Sequence, residues 1–243
     1  MVAPQRCRPG RWAERAASLY DGPYARRYRR HDEEFVVGEF SAVVTDWLRE
    51  TSASLSPPID VLDLGCGTGR YFWALQGVNE LVGIDASAAM LAEARQPVNA
   101  DRVTASVVTL MRGDLLGQEF EADRFDLVYS IGVLAEHVPL DEAIVARVAR
   151  WLKPGGLFAL TTVRPDSPSI PRTWKRRAAE RVAAFAPSSV RERLRTRLLS
   201  GGCYADERQV RELLDPAFDI ESLIPFHSEA HLHCRCLARR KPQ

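Results

Sequence analysis

Short apolar runs recur along the middle of the chain and alternate with segments whose apolar residues repeat at helical spacing. The runs "IDVLDL", "ELVGID", "ASVVTLMRGD", "FDLVYSIGV" and "LFALTTV" are typical of buried strands, and "DIESLIPF" and "HLHCRCLARR" predict two more near the C-terminus. Strands that alternate with helices form parallel sheets covered on both faces. The pattern therefore predicts an α/β fold.

The predicted helices carry recognisable start and stop signals. "RYFWALQ" predicts the beginning of a helix after the first strand, and "SAAMLAEAR" predicts a helix with Ser87 as its N-cap. "LDEAIVARVARWLKPGG" is an amphipathic segment with a Pro-Gly-Gly stop, and "DERQVRELLDPAF" predicts the last helix. Near the N-terminus, Tyr20, Tyr24 and Tyr28 recur at every fourth position, and an intervening Gly-Pro pair indicates that they straddle a helix start.

Residues 165–204 break this alternation. Three prolines open the segment, and two short helices with apolar inner faces and arginine-rich outer faces are predicted behind them. We therefore expect an N-terminal helical part at 1–56, a core at 57–164, a helical insertion at 165–204, and a last helix with two strands that complete the core at 205–243.

Composition places the chain among ordinary globular proteins. Its 243 residues are 46% hydrophobic and 27% charged. No apolar run is long enough to span a bilayer, and the first residues lack the apolar stretch of a signal peptide. Five cysteines, an odd number, do not indicate a disulfide framework. We expect a cytoplasmic, reduced protein with no membrane partner.

The net charge of +1 is unevenly distributed. Residues 1–30 carry +6 and residues 172–198 carry +7, whereas the centre at 31–171 carries −11. One interpretation is a set of solvated helix faces in a chain whose basic residues are mostly arginine. The other is a positive rim that attracts an anionic ligand.

The stretch "VLDLGCGTGR" at residues 61–70 joins a strand end, an acid and a glycine-rich turn. Asp63 is followed by Gly65, Gly67 and Gly69. Glycine adopts backbone conformations closed to other residues, and it lets a ligand approach the main chain. Such turns between a strand and a helix typically hold nucleotide-like ligands. The order G-x-G-x-G differs from the G-x-G-x-x-G of nicotinamide-binding turns.

This stretch resembles the first motif of the class I S-adenosylmethionine-dependent methyltransferases. "LVGIDAS", with Asp85 twenty residues after Gly65, resembles their second motif, and "RGDL", "FDLVYSIGVL" and "VARWLKPGGLFAL" resemble later motifs in the same order. The resemblance is close over 59–164 and looser over 205–240. It implies a Rossmann-like doubly wound sheet of seven strands, mostly parallel with an antiparallel last strand, and S-adenosylmethionine as cofactor.

The resemblance and the chemistry of this donor assign roles to particular residues. Gly65 and Gly67 form a close backbone turn for the amino-acid end, and Asp63 is a partner for the ammonium group. Asp85 is placed to accept hydrogen bonds from the ribose hydroxyls, and Asp114 from the adenine amino group. The candidate donor-binding residues are Tyr28, Asp63, Gly65, Cys66, Gly67, Gly69, Asp85, Ala86, Met90, Asp114, Leu115 and Ser130.

Each of these residues also has a plainer interpretation. Asp63 and Asp114 can cap the turns that follow them, and Asp85 can serve as the anion at a helix N-terminus. The joint order of the motifs favours the donor-binding roles for the acids. Tyr28 resembles the N-terminal tyrosine that closes over the donor in members acting on small molecules, and its alternative is a packing aromatic on an amphipathic helix.

The loop after the fourth strand reads "SIGVLAEHVP" and contains the candidate catalytic base, His137. An oxygen nucleophile or an acidic carbon needs such a base, and this fold presents substrate-facing groups here. The loop resembles a "leHvp" segment of relatives, but Ala135 makes it one residue longer, which affects the assignment of both Glu136 and His137. The alternative for His137 is a helix-start histidine bonded to backbone.

The C-terminal stretch "HSEAHLHCRC" contains residue types that bind metals. In a strand, however, His231 and His233 point to one face, and Cys234 and Cys236 point to the other. We therefore expect structural cysteines and no metal site.

The interpretation that unites these features is a methyltransferase acting on an O, N or C nucleophile of a small molecule. The N-terminal part and residues 165–204 would then form a lid over the acceptor pocket. The alternatives are a methyltransferase acting on RNA or protein, and a non-catalytic scaffold that binds the donor. The intact acids and glycines disfavour a scaffold. "YSIG" after the fourth strand, in place of an Asn-Pro-Pro-Tyr motif, disfavours a nucleic-acid acceptor.

Overall fold

The computed structural model describes residues 22–34, 38–168, 203–228 and 231–242, and also residues 14, 17, 18 and 20. Most of the expected insertion at 165–204 lies outside these residues, as does most of the chain before residue 20. Among the helices of the described part, none has the length and apolar character needed to cross a bilayer.

A mixed sheet forms the centre of the molecule, in the order β3-β2-β1-β4-β5-β7-β6. Neighbouring strands among β1 to β5 pair in parallel, and β7 is antiparallel to both β5 and β6. The expected seven-stranded sheet with an antiparallel last strand is confirmed. The strands are β1 Ile59–Leu64, β2 Val78–Asp85, β3 Val107–Arg112, β4 Phe125–Ser130, β5 Leu152–Val163, β6 Phe218–Ser228 and β7 His231–Arg240.

Ser87, Asp141 and Asp206 each cap the N-terminus of a described helix through the side chain. Ser87 accepts a hydrogen bond from the Met90 amide at 3.2 Å, which confirms the predicted N-cap. Asp206 forms a reciprocal capping box with Gln209 at the start of the last described helix. The described helices are α1 Gly22–Glu34, α2 Glu39–Ala53, α3 Ala88–Ala94, α4 Glu142–Trp151 and α5 Glu207–Leu214.

The prediction that an α-helix begins at "RYFWALQ" is wrong. The segment forms a short 3₁₀ turn at Phe72–Ala74 instead, and Gly77 reverses the chain into β2 with a φ of 65°. Residues 71–75 are all buried. An α-helix on a sheet turns one stripe of residues inward, so five buried residues in succession do not fit it. The C-terminal end of α4 also differs from the prediction. The helix ends at Trp151, and the Pro-Gly-Gly sequence that was expected to end it lies within β5.

Helices cover both faces of the sheet, as the alternating pattern predicts. One apolar core lies between the sheet and α4 and α5, and the other lies between the sheet and α2, α3 and the 3₁₀ turn. Successive strand residues supply the two cores: Leu127 and Tyr129 face α2, and Val128 faces α4. The parallel strands therefore end together at one edge, where loops are free to form a site.

Candidate functional site

The turn after β1, residues 65–70, is called the glycine turn here. Gly65 and Gly67 have φ angles of 83° and 54°, a region that side chains disfavour. A Cβ added to Gly65 would lie 2.5 Å from Val133 Cγ2. The amides of Gly65 and Cys66 both donate to the Ile84 carbonyl, at 2.8 and 3.0 Å. The turn is therefore held against the end of β2, and its backbone faces the carboxyl edge of the sheet.

Asp85 ends β2 and joins the glycine turn to α3. One carboxylate oxygen accepts from the Gly67 amide at 3.0 Å, and the other accepts from the Ser87 amide at 2.8 Å. Burial raises the pKa of Asp85, and the amides of Ser87, Gly67 and Ala86 oppose that rise. Each carboxylate oxygen has two lone pairs, so further donors such as a diol can still be accepted.

Asp63 lies deeper at the same edge, between Gly83 of β2 and Tyr129 of β4. The residue is 4% exposed. Burial raises the pKa of Asp63 to about 8, the Tyr129 hydroxyl lowers it, and nearby Asp85 raises it further. A carboxyl group in this state gains a strong partner when a cation such as an ammonium group approaches, because the opposite charge favours the ionised form.

The remaining candidates around the glycine turn take different places. Met90 is buried, and its Cε lies 3.3 Å from the position of a Cβ on Gly67, so it lines the turn. Asp114 accepts from the Leu116 amide at 3.0 Å and therefore caps the turn after β3, which is the plainer role that the sequence also allowed. Its contact with adenine stays a prediction. Leu115 is buried in the core on the α4 side.

The Ser130 hydroxyl forms hydrogen bonds within the protein. Its fully buried hydroxyl donates to the Leu64 carbonyl at 3.1 Å and accepts from the Leu134 amide at 3.3 Å. These bonds fasten the end of β1 to the loop after β4. The side chain is thus engaged within the protein.

The tyrosine row of the N-terminal part lies over this edge. Tyr20 precedes α1, and Tyr24 and Tyr28 belong to it, so the row straddles the helix start as predicted. The rings of Tyr20 and Tyr24 meet edge to face at 5.1 Å, and those of Tyr24 and Tyr28 stack at 6.0 Å. The Ser87 hydroxyl donates to the Tyr20 carbonyl at 2.6 Å. The row is thereby fixed beside the N-terminus of α3.

The loop after β4, residues 131–138, is called the acceptor loop here. It accommodates its additional residue by placing Ala135 in the left-handed region, with a φ of 57°. The amides of Glu136, His137 and Val138 all donate to the Val133 carbonyl. His137 therefore lies in a turn and not at a helix start, since α4 begins only at Glu142.

Glu136 and His137 form a pair on this loop. The His137 Nε2 lies 3.6 Å from Glu136 Oε1, and the side chains are 49% and 24% exposed respectively. Burial raises the pKa of Glu136 to about 7. The Tyr20 ring meets the His137 ring edge to face at 6.2 Å. The pair thus lies next to the tyrosine row.

Sequence reasoning left Tyr20 and Glu136 out of the candidate set. The sequence does contain a signal for Tyr20, because it lies four residues before Tyr24 and eight before Tyr28. This spacing predicts that the three rings lie in one row. Glu136 had only its position beside His137. Its burial depends on the fold of the acceptor loop, which the sequence pattern does not show.

The C-terminal histidines and cysteines divide as predicted between the two faces of β7. His233 packs against Phe40 and Phe226 on the α2 side, and Cys236 belongs to the core on the α4 side. Within the described ranges, no group of three or more His, Cys, Asp or Glu side chains is arranged to hold a metal ion.

A family model described as a methyltransferase domain matches residues 61–156, from β1 and its glycine turn into β5. Residues 61–156 thus resemble a methyltransferase domain. The match includes Asp63, Asp85 and His137, and so covers both the glycine turn and the acceptor loop.

The chain is also similar to curated methyltransferases. A demethylmenaquinone methyltransferase from Lactiplantibacillus plantarum is 38% identical over 136 residues, which cover 53% of this chain and 56% of that protein. A malonyl-[acyl-carrier protein] O-methyltransferase from Enterobacter lignolyticus is 36% identical over 118 residues, which cover 47% and 43%. The chain thus spans about half the length of the curated relatives it matches.

Solved structures share the fold over most of the chain. A magnesium protoporphyrin IX methyltransferase from Synechocystis PCC 6803, solved with bound S-adenosylhomocysteine, superposes with a TM-score of 0.66 at 18% identity. The superposition covers 95% of this chain and 100% of that one. At this identity the likeness establishes the fold alone, so the substrate of the methyltransferase domain has to be argued from its own residues.

Proposed function

We propose that the protein transfers a methyl group from S-adenosylmethionine to an O, N or C nucleophile of a small molecule. The observation that supports this most is one juxtaposition at the carboxyl edge of the sheet. Asp63, the glycine turn and Asp85 lie on one side, the Glu136–His137 pair lies on the other, and the tyrosine row lies next to both.

The residues around the glycine turn fit the donor, which when bound supplies an electrophilic methyl group on a positively charged sulfur. Asp63 supports this fit most strongly. It is a buried carboxyl group with a raised pKa, and a bound cation would favour its ionised form. Asp85 would accept hydrogen bonds from the ribose hydroxyls. Gly65 and Gly67 would leave room for the amino-acid end, and Met90 would contact the adenine from the side of α3.

On the acceptor side, His137 would take the proton from the nucleophile. Its Nε2 faces Glu136, whose ionised carboxylate would stabilise the imidazolium that forms. The Tyr20 ring beside His137 would help exclude water from this position. The chain would therefore contribute alignment for an in-line displacement on carbon and a base for the nucleophile.

A small-molecule acceptor is supported by the names of the relatives, which include methyltransferases of demethylmenaquinone and of a malonyl group on a carrier protein. The net charges of +6 on residues 1–30 and +7 on residues 172–198 of the sequence favour an anionic acceptor, because positively charged side chains attract anions. The proposal thus includes an anionic metabolite as acceptor.

The proposal is tested by incubating the protein with methyl-labelled donor and separated extracts of small molecules, RNA and protein from its host. We expect label in the small-molecule fraction, with an equal amount of S-adenosylhomocysteine formed. The Asp85→Ala variant is the control for donor-dependent transfer. Label found in RNA or protein, or no transfer to any fraction at donor saturation, would contradict the proposal.

A further inference from the structure

Asp32 is a fully buried carboxyl group on α1, a helix otherwise rich in exposed charged residues. The helix sequence "GPYARRYRRHDEE" offers many charged side chains to water, yet Asp32 is 0% exposed. Burying a carboxylate is unfavourable unless it is paired and hydrogen-bonded. Its partners therefore explain why an acid occupies this position.

Both partners of Asp32 belong to the glycine turn. The Thr68 hydroxyl donates to Asp32 Oδ2 at 2.5 Å, and Arg70 Nη1 lies 3.4 Å from Asp32 Oδ1. Thr68 and Arg70 flank Gly69, whose φ is 73°. The Asp32 carboxyl group thus contacts the glycine turn on both sides of Gly69.

Arg70 extends this connection to α2 and the 3₁₀ turn. Its guanidinium donates to the Ser41 hydroxyl and lies 5.7 Å from the centre of the Tyr71 ring. The Arg70 side chain is mostly buried, so this group of contacts is shielded from solvent screening. The same helix α1 carries Tyr28, whose ring belongs to the tyrosine row.

We propose that Asp32 is a positioning residue that couples α1 to the conformation of the glycine turn, so that closure of the tyrosine row and donor binding stabilise each other. The inference rests on the proposed donor binding. A turn with three glycines has many backbone conformations when unconstrained, and fixing it before binding lowers the entropy cost of binding. Coupling of this kind is reciprocal, so a bound donor also holds α1 in place.

The test measures donor affinity and backbone protection in Asp32→Asn and Thr68→Val variants. Titration calorimetry with S-adenosylhomocysteine should show binding about tenfold weaker or more in each, because Asp32→Asn removes the buried charge that pairs with Arg70, and Thr68→Val removes the hydroxyl that donates to Asp32. The double variant should be little worse than either single one, since both substitutions act on the same connected group of contacts around Asp32. Hydrogen exchange of the unliganded protein should show faster exchange at residues 65–70.

The matched control is Asp126→Asn. Asp126 is a partly buried carboxylate at the opposite edge of the sheet, where it accepts from Lys153 Nζ at 2.7 Å and from the Asp60 amide at 2.8 Å. Its removal should lower the melting temperature without changing donor affinity or exchange in the glycine turn.

Two results would overturn the inference in distinguishable ways. If Asp32→Asn lowers the melting temperature as the control does but leaves affinity within about twofold and exchange at residues 65–70 unchanged, Asp32 only anchors the helix. If the wild-type protein does not bind S-adenosylhomocysteine, the proposed function fails, and the coupling to a donor fails with it. Accelerated exchange in the unliganded variant would then identify Asp32 as a constraint on the turn alone.

Discussion

Asp63 lies in an environment unlike that of an ordinary surface carboxyl group. Its pKa is raised to about 8 by burial, so the folded protein holds a proton there that the unfolded chain releases near pH 4. The folded state binds more protons than the unfolded state between these two pH values. The contribution of Asp63 to stability is therefore largest below about pH 4 and is lost as the pH rises to about 8.

We predict that Asp63→Asn becomes increasingly stable relative to the wild type as the pH rises from 5 to 8.5, because the amide cannot ionise. The same variant should bind the donor more weakly, since an amide does not pair with an ammonium group. Urea unfolding at pH 5, 7 and 8.5, with calorimetric titration of the donor, measures both effects. A stability difference that does not change with pH would show that Asp63 is ionised throughout.

His137 and Glu136 give a second prediction at the scale of single residues. His137→Ala should lower kcat by about 10²-fold while leaving donor affinity unchanged, as for loss of a general base. Because the pKa of Glu136 is raised to about 7, the wild-type rate should fall as the pH drops below 7. Glu136→Gln should lower the rate and remove that part of the pH profile. Unchanged turnover in His137→Ala would assign the histidine a structural role.

At the scale of elements, Ser130 connects β4, β1 and the acceptor loop through its hydroxyl. We predict that Ser130→Ala lowers the free energy of unfolding by about 1–3 kcal/mol, because a buried carbonyl and a buried amide each lose a partner. Donor affinity measured well below the melting temperature should change by less than about twofold. A larger loss of affinity at full folding would restore Ser130 as a donor-binding residue.

The elements also show which parts of the structure the sequence could predict. The strands, the N-cap Ser87 and the tyrosine row were predicted correctly because their signals are local. The 3₁₀ turn at Phe72–Ala74 was not, because its form depends on burial from several sides. Asp32 was missed because its partners Thr68 and Arg70 lie more than thirty residues away in sequence.

At the scale of the whole molecule, the uneven charge of the chain leads to a prediction about acceptor encounter. The stretch at 172–198 carries +7 in sequence and follows β5, whose carboxyl end lies at the edge that carries the site. Replacing it by a short neutral linker should leave donor affinity unchanged and reduce transfer sharply. The kcat/KM of the wild type should fall as salt rises, because salt screens attraction between exposed charges. Undiminished transfer by the shortened protein would show that the stretch has no role in acceptor binding.

The glycine turn and Asp85 together form the proposed binding site for S-adenosylmethionine. The most direct measurement is calorimetric titration of S-adenosylmethionine into the wild type and Asp85→Ala, with Asp60→Ala as control, since Asp60 is a carboxylate at the opposite end of the sheet. We predict that Asp85→Ala weakens binding by roughly 2–4 kcal/mol, the value of two charge-assisted hydrogen bonds, and that the control leaves it unchanged. Equal affinity in the folded Asp85→Ala variant and the wild type would contradict the account.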